Sequence, residues 1–345
     1  MWPVAGSDCV FYYRNLDAAV SFYTDQLGLS VVMGRERGDG LPRGIGVHLQ
    51  LASTSFLTLV DGTSPHSNHS ATEPKATALA LLTDDLEAWD AHAAERGLEF
   101  RNGKRLDRNP AGSAHDGFVI LDPEGYKVRR CGNLAPSPAS LWHSLNSRTR
   151  VQLEFEQFLP HPENDELLPA LAQLPNHLTA LPGPPKSLKA SINWLYYRDA
   201  AAARAFHTTT LGLSLVCVQP GVADIYQTSA SGFFGAVDER AGMSDWAQPA
   251  AVMLSFCVHD VHLAHAALVS AVQEASQRNG SQPLQFQVDE TVDKSDPRFD
   301  AFVATDIECY SIEWFQLKPT SVTATHIAAL KAGRRVALTL GDARL

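Results

Sequence analysis

Histidines are the side chains in this sequence with the most evident capacity to bind a metal. His262 and His265 are three residues apart, with His259 close by, at the start of a predicted amphipathic helix. This spacing places them on neighbouring turns, where a solvated helix face is a simpler explanation than a metal site. His66 and His69 lie in a loop rich in Ser, Pro and Asn. Neither group predicts a metal centre.

Two further histidines have strand-like surroundings. His48 lies on a predicted strand, and His115 lies on a loop close to another strand. A single histidine inside a sheet protein is more often a hydrogen-bonded core residue than a functional one. Either of the two could still point into a binding pocket, so both interpretations stay open.

The common catalytic motifs are missing from the sequence. It has no GxSxG nucleophile elbow, no phosphate-binding loop and no HExxH zinc motif. Its five cysteines are scattered without CxxC spacing, and an odd number of such residues favours a reducing compartment.

The amino-acid composition limits the classes of molecule that the protein is expected to bind. The chain has 345 residues, 45% of them hydrophobic, and a formal net charge of −10. The acidic balance argues against nucleic-acid binding, and no apolar run approaches the roughly 18 residues that span a membrane. We therefore expect a small-molecule substrate or ligand, no nucleic acid and no membrane, and a homodimer stays open. The expected location is cytoplasmic, although the terminal Ala343-Arg344-Leu345 resembles the peroxisomal Ser-Lys-Leu tripeptide.

A duplication organises the chain. Phe22-Tyr23 and Leu27-Gly28-Leu29 have counterparts 184 residues later, Phe206-His207 and Leu211-Gly212-Leu213. The same offset relates Asp122-Pro123-Glu124-Gly125-Tyr126 to Asp306-Ile307-Glu308-Cys309-Tyr310. A constant offset over about 120 residues predicts two similar domains. Each copy is also internally doubled, because the segment from Thr83 to Leu98 resembles the segment from Arg14 to Leu29.

Each repeated unit is predicted to be a strand, a helix and three strands. Val10 to Tyr13 is a β-rich run, Asn15 is a helix N-cap, and Gly28 ends the helix. Between the copies, residues 134–187 contain nine prolines and are predicted to be a connector with short helices, one of them near 165–174. Residues 319–345 are predicted to be a C-terminal helix and tail.

The Tyr13–Leu29 opening and the Asp122–Tyr126 turn resemble those of the vicinal oxygen chelate (glyoxalase/bleomycin resistance/extradiol dioxygenase) superfamily. The resemblance implies an α+β fold of two tandem glyoxalase-like domains, at residues 5–133 and 188–318. In each, paired βαβββ units curl into a half-barrel sheet. Members of the family hold a divalent metal there, and two domains in one chain is the arrangement of type I extradiol dioxygenases.

The family pattern also implies where metal ligands would stand. His, Gln or Glu is expected seven residues before each helix cap and seven residues after the Asp of the turn. In this chain those positions, with the fourth strand position added, are Asp8, Ala78, Arg129 and a residue near Thr58 in the first copy, and Ile192, Met253, Glu313 and a residue near Gly235 in the second. Only Glu313 is a family ligand, so we expect no metal and no other cofactor.

Two different pockets are expected in place of the metal. In the first, Asp8 and Arg129 form a salt bridge, or Arg129 binds a substrate oxygen beside Tyr12. In the second, apolar residues surround Glu313, whose pKa would then be raised so that it could act as a general acid or base. The catalytic candidates are Glu313, Arg129 and Tyr196. The substrate-binding candidates are Asp8, Tyr12, Trp194, Ile192, Met253, Phe233 and His48.

Three functions follow as alternatives. The first is metal-independent acid/base chemistry of the isomerase or lyase type on a small aromatic or polyketide-like molecule. The second is a metal-dependent extradiol-type dioxygenase or glyoxalase, with a divalent metal as cofactor. The third is a non-catalytic protein that binds and sequesters a small molecule.

Overall fold

The protein is described from a computed structural model, which covers residues 4–34, 46–64, 73–106, 108, 114–124, 152–181, 186–241, 246–278 and 286–339. In the first copy the elements are β1 (Val4–Tyr13), α1 (Leu16–Ser21), β2 (Ser30–Met33), β3 (Val47–Ala52), β4 (Ser55–Asp61), β5 (Thr77–Leu82), α2 (Leu86–Glu95), β6 (His115–Leu121) and β7 (Gln152–Phe158). A π-helical turn, Phe22–Gln26, continues α1.

The connector and the second copy follow the same plan. The connector carries α3 (Leu167–Gln173) and the short pair β8 (His177–Leu178) and β9 (Ser187–Leu188). The second copy contains β10 (Ala190–Tyr197), α4 (Ala200–Ala205), β11 (Ser214–Gln219), β12 (Ala223–Gln227), β13 (Gly232–Asp238), β14 (Val252–Val258), α5 (Val261–Arg278), β15 (Gln287–Val288), β16 (Phe299–Thr305) and β17 (Ser311–Leu317). Helix α6 (Ala324–Thr339) ends the described chain, and no described helix is long and apolar enough to cross a membrane.

The strands form two large mixed sheets, as expected for an α+β fold of glyoxalase-like domains. Sheet A has the order β15-β16-β17-β14-β1-β4-β3-β2, and sheet B has the order β11-β12-β13-β10-β5-β7-β6. Each sheet therefore joins one unit of the first copy to one unit of the second. The joins are antiparallel, β1 with β14 in sheet A and β5 with β10 in sheet B.

This pairing corrects the expectation that residues 5–133 and 188–318 each close a half-barrel of their own. The four units are similar, so each first strand offers an equivalent edge for pairing. The sequence repeat predicts the structure of one unit, but it does not predict which other unit pairs with it in the sheet. That pairing determines which side chains lie in the same site.

Strand β7 is a second correction, because its residues were assigned to the connector. Gln152–Phe158 pairs parallel with β5 and antiparallel with β6, which makes it the last strand of the unit. The resemblance to the superfamily predicts this strand directly after the Asp122 turn, at Arg129. Arg129 lies outside the described residues, and its predicted place in the sheet is occupied by β7.

Hydrogen bonds at the turns hold the units of each copy together although their strands are in different sheets. The Glu124 carboxylate accepts hydrogen bonds from the backbone N–H groups of Arg14 (2.8 and 2.9 Å) and Asn15 (2.8 Å), just before α1. Glu308 does the same for Arg198 and Asp199 before α4. The Asn15 side chain accepts from Ala18 N–H at 3.0 Å, as a helix cap does.

Alternate residues of the strands divide between two environments. Along β1, Cys9, Phe11 and Tyr13 belong to the main hydrophobic core. Asp8, Val10 and Tyr12 face the other way, onto what we call the inner face of sheet A. An added helix packs on each inner face: α3 contributes Leu167 and Leu171 on sheet B, and α6 contributes Leu330 on sheet A.

Candidate functional site

Two carboxyl groups from opposite ends of the sequence converge on the inner face of sheet A. Asp8 on β1 is directly opposite Ser255 on β14, and Ser255 is directly opposite Glu313 on β17. Neighbouring strands are about 4.8 Å apart, so the two acidic residues stand roughly 10 Å apart at the backbone with a serine between them. Residues directly opposite each other on neighbouring strands point to the same side of a sheet, so both side chains lie on the inner face of sheet A.

Asp8 is buried in a small hydrogen-bonded group. Thr58 donates to Asp8 Oδ2 at 2.5 Å, and His48 Nδ1 lies 3.2 Å from the same oxygen and 2.8 Å from the Thr58 hydroxyl. Strands β3 and β4 position these partners, since His48 and Thr58 are opposite each other in the antiparallel pair. Asp8 Oδ1 has no hydrogen-bond partner among the described residues.

Burial disfavours the charged forms of both Asp8 and His48. Desolvation raises the pKa of Asp8 to about 7, against the opposing effect of its bond from Thr58. Desolvation lowers the pKa of His48 to about 3, and the positive charge of Arg298 adds to that effect. The contact between Asp8 and His48 is therefore a hydrogen bond to a neutral imidazole at neutral pH.

Glu313 has a comparable environment on the other side of Ser255. The serine hydroxyl donates to Glu313 Oε2 at 2.6 Å. The pKa of Glu313 is raised to about 7, chiefly by desolvation and also by the nearby charge of Asp8, against the opposing effect of the Ser255 bond. Two carboxyl groups that exchange protons near neutral pH thus lie within electrostatic reach of each other.

Apolar side chains continue the same inner face. Val10, Tyr12, Ala251 and Met253 form a buried cluster, with Val60 packed against it. Met253 is two residues from Ser255 along β14, and Tyr12 is four residues from Asp8 along β1, on the same face of sheet A. Their role in substrate binding stays a prediction. Met253 came from the second copy in the sequence analysis, and the pairing of β14 with β1 brings it here.

The other candidates predicted to lie near Glu313 are in sheet B, which corrects that prediction. Ile192, Trp194, Tyr196 and Phe233 form a buried cluster on the inner face of sheet B, covered by Leu167 and Leu171 of α3. Any side chain at Gly235 would collide with the Trp194 ring. Glycine there admits the indole, which occupies part of that face. Tyr196 is in sheet B and Glu313 is in sheet A, so the two do not share an inner face as predicted.

The position equivalent to Glu313 in sheet B is occupied by Glu154. Just as Glu313 is opposite Ser255, Glu154 is opposite Ala80 on β5. Burial and the neighbouring Glu156 raise the pKa of Glu154, and burial raises that of Glu156 to about 7. The predicted Arg129 at this position was wrong because the strand begins more than 20 residues later.

Comparison with known proteins identifies the architecture. Residues 7–129 match the sequence model of the Glyoxalase/Bleomycin resistance protein/Dioxygenase superfamily. This match covers most of the first copy. Among solved structures, glyoxalase I from Zea mays superposes with a TM-score of 0.54 and 13% identity, covering 94% of each chain. A putative dioxygenase from Bacillus subtilis gives 0.54 and 10%, covering 96% of this chain and 97% of that one. At such identities the likeness establishes the fold alone, and no curated protein sequence matches significantly.

The superfamily's metal can now be tested against the side chains present. The strand register places its four ligand positions at Asp8, Thr58, Ser255 and Glu313 in sheet A, and at Ile192, Gly235, Ala80 and Glu154 in sheet B. Ser255 and Ala80 thus take the places predicted for Met253 and Ala78. The first set offers two carboxyl groups and two hydroxyls engaged with them, and the second offers one carboxyl group. No group of three or more His, Cys, Asp or Glu residues in the described ranges is arranged to hold a metal ion. The donors do not fit the family's metal.

Several residues of the site are absent from the sequence-based candidates. Ser255 is two residues from the predicted Met253, a difference that only the register of β14 reveals. Glu154 can be recognised from the sequence, because Gln152–Phe158 (QLEFEQF) resembles Ser311–Leu317 (SIEWFQL) and Glu154 aligns with Glu313. His326 packs on Phe56 at the inner face of sheet A, but it belongs to α6 and lies outside both repeated copies. Away from the site, His265 bonds the Asp289 carbonyl, as expected for a helix-surface histidine.

Proposed function

We propose that the inner face of sheet A binds a small organic molecule and catalyses proton transfer on it without a divalent metal. The observation that carries the proposal is the placement of Asp8 and Glu313 on one face of sheet A, on either side of Ser255. Groups with pKa values near the working pH are the most effective general acids and bases. One carboxylate removes a proton from the ligand, and the other carboxyl group returns one at a neighbouring atom. This is an isomerisation or, where a bond is lost, a lyase reaction.

The surroundings of the two groups favour different roles. Asp8 is held by Thr58 and His48 and keeps one oxygen free, which suits a fixed acceptor that faces the ligand. Glu313 accepts a hydrogen bond from the Ser255 hydroxyl and is half-buried. We assign proton abstraction to Asp8 and proton return to Glu313, and the reverse direction exchanges these roles.

The lining supports an apolar ligand. Val10, Tyr12 and Met253 offer hydrophobic and aromatic contact beside the carboxyl groups. Burial of such surface stabilises a bound ligand by about 25 cal/mol per Å². We therefore retain a small aromatic or polyketide-like molecule as the proposed substrate, and a role of Tyr12 in contacting it.

Metal-independence is part of the proposal and has its own test. Each hydroxyl at a ligand position bonds a carboxyl group, so a cation would have to displace both of these bonds. We expect purified protein to contain Fe, Mn, Zn and Ni far below one ion per chain by elemental analysis. A stoichiometric metal that resists dialysis would instead favour the dioxygenase or glyoxalase alternative.

The catalytic claim is tested by substitution once a ligand is identified by mass spectrometry of the purified protein. Glu313→Gln and Asp8→Asn should lower turnover by roughly 100-fold or more, a typical loss for a general acid or base, while ligand affinity changes little. Glu154→Gln is the matched control, since it removes the equivalent carboxyl group from sheet B. Unchanged turnover in both sheet A variants would contradict the proposal. Tight binding with no conversion by the wild type would favour the sequestering alternative.

A further inference from the structure

Three buried polar groups near the inner face of sheet A have hydrogen-bonding capacity that the described residues do not satisfy. They are Asp8 Oδ1, Arg298 Nη1 and both ring nitrogens of His326. Buried polar atoms in folded proteins nearly always have partners, so a cluster of exceptions calls for a missing partner such as a ligand. Two of the three groups, Arg298 and His326, can donate hydrogen bonds.

Arg298 is held so that one edge of its guanidinium is occupied and another is free. Its Nε and Nη2 donate to Asp296 Oδ1 and Oδ2 at 2.9 and 2.6 Å. The residue is only 6% exposed, and Nη1 is left without an acceptor. Arg298 precedes Phe299, the first residue of β16, and the Phe299 ring packs on Phe315, two residues from Glu313 along β17. The charge of Arg298 also lowers the pKa of both His48 and Glu313.

His326 is the contribution of α6. It is fully buried, with its ring centroid 4.4 Å from that of Phe56 and 5.4 Å from that of His48. Burial lowers its pKa to about 3, so it is a neutral imidazole with one N–H donor and one acceptor nitrogen. The packing of Phe299 on Phe315, with Phe315 beside His326, connects the surroundings of His326 to Arg298.

We propose that the ligand of this site is a small organic acid, whose carboxylate accepts hydrogen bonds from Arg298 Nη1 and from the ring N–H of His326. The inference rests on the ligand location proposed above, and it does not require the proton transfer. A carboxylate satisfies two buried donors at once, whereas a neutral amide presents one weaker acceptor oxygen. Asp8 Oδ1 remains free to face the reacting part of the molecule.

The test compares acids with their uncharged counterparts on the full-length protein. The probes are benzoate with benzamide, and 1-naphthoate with 1-naphthamide, measured by titration calorimetry. Charged hydrogen bonds contribute about 1.5–3 kcal/mol, so each acid should bind roughly 10- to 100-fold more tightly than its amide. Amides that bind as tightly as the acids, or no detectable binding of either acid, would overturn the proposal.

Substitutions test which residues cause the preference for acids over amides. Arg298→Gln should abolish the preference for acids, His326→Phe should weaken it, and Arg298→Lys should retain part of it through the charge. Arg240→Gln is the matched control, because Arg240 bonds Asp238 two residues earlier with the same geometry but is exposed at the surface. Circular dichroism of each variant checks folding, and Arg298→Lys replaces Arg298→Gln if the latter does not fold.

The outcomes separate this inference from the proposed function. Acid binding that depends on Arg298, together with turnover insensitive to Glu313→Gln, would leave the ligand class standing and remove the catalytic claim. Loss of turnover in Glu313→Gln with acid binding insensitive to Arg298→Gln would do the reverse.

Discussion

At the scale of single residues, the account depends on buried carboxyl groups that retain protons to unusually high pH. The pKa of Asp8 is about 7 in the folded protein against an ordinary value of 3.8. A folded pKa above the unfolded one stabilises the protein fully below the unfolded value, and this contribution is lost as the pH rises towards the folded value. Asp8 therefore contributes most to stability in acid and least above neutrality.

The pH dependence of this contribution gives a prediction for Asp8→Asn. The asparagine cannot ionise, so the wild type should lose stability relative to the variant between about pH 4 and pH 7. Urea unfolding of both proteins at several pH values measures the difference in unfolding free energy. A difference that is constant across this range would show that Asp8 ionises normally in the folded state.

Thr58 is the residue that fixes Asp8 and His48 together. Thr58→Val removes the hydroxyl that donates at 2.5 Å and leaves a buried carboxyl group with one partner fewer. We expect a loss of about 1–3 kcal/mol in the free energy of unfolding. Thr63→Val is the control, since Thr63 makes a similar bond to Asp61 at the exposed surface and should cost much less. Equal losses would contradict the proposed buried network.

At the scale of elements, α6 determines how sheet A is closed. Gly333 lies on this helix against the backbone of Ser53, and a Cβ there would collide with the Ser53 carbonyl. Close approach of α6 to the loop before β4 therefore requires glycine, although glycine costs a helix about 1 kcal/mol relative to alanine. Packing against the sheet outweighs the local preference.

Helix propensity and packing therefore predict opposite effects of Gly333→Ala on stability, and we expect packing to dominate. Gly333→Ala should lower the unfolding free energy and weaken ligand binding at His326, whereas in an isolated helix it would be stabilising. The exposed Ala328→Gly serves as the comparison and should show the ordinary helix preference, a loss of up to about 1 kcal/mol with unchanged binding. A more stable Gly333→Ala protein would mean that α6 does not pack this closely.

The elements also show what the sequence could and could not predict. The Asn15 cap, the repeated unit and the superfamily were readable, since these depend on local pattern and on residues close together in sequence. The association of Asp8 with Glu313 was not, because four similar strand edges compete and only tertiary packing selects the partner. The position of Glu154 was readable in principle from the QLEFEQF alternation, but the intervening segment obscured it.

At the scale of the whole molecule, the two copies are interdependent. Strands β1 and β5 of the first copy pair along their length with β14 and β10 of the second. Separation of the copies would expose these backbone edges and both inner faces. Exposed edges of this length associate or aggregate.

We accordingly predict that residues 1–185 and 186–345, produced separately, do not form stable folded monomers. Each should be unfolded or self-associated, and mixing them should restore a one-to-one complex with the circular dichroism of the intact chain. Size-exclusion chromatography with light scattering distinguishes these states. Two monomeric halves that each unfold cooperatively would contradict the cross-copy sheets.

The central claim is that Asp8 and Glu313 serve one site, and a carboxyl titration tests it without knowledge of the substrate. Side-chain ¹³C labelling of glutamate allows the pKa of Glu313 to be measured by NMR. We predict a value of about 7 in the wild type, a lower value in Asp8→Asn because a nearby negative charge is removed, and no change in Glu154→Gln. A Glu313 that titrates at its ordinary 4.5, or that does not respond to Asp8, would contradict the account.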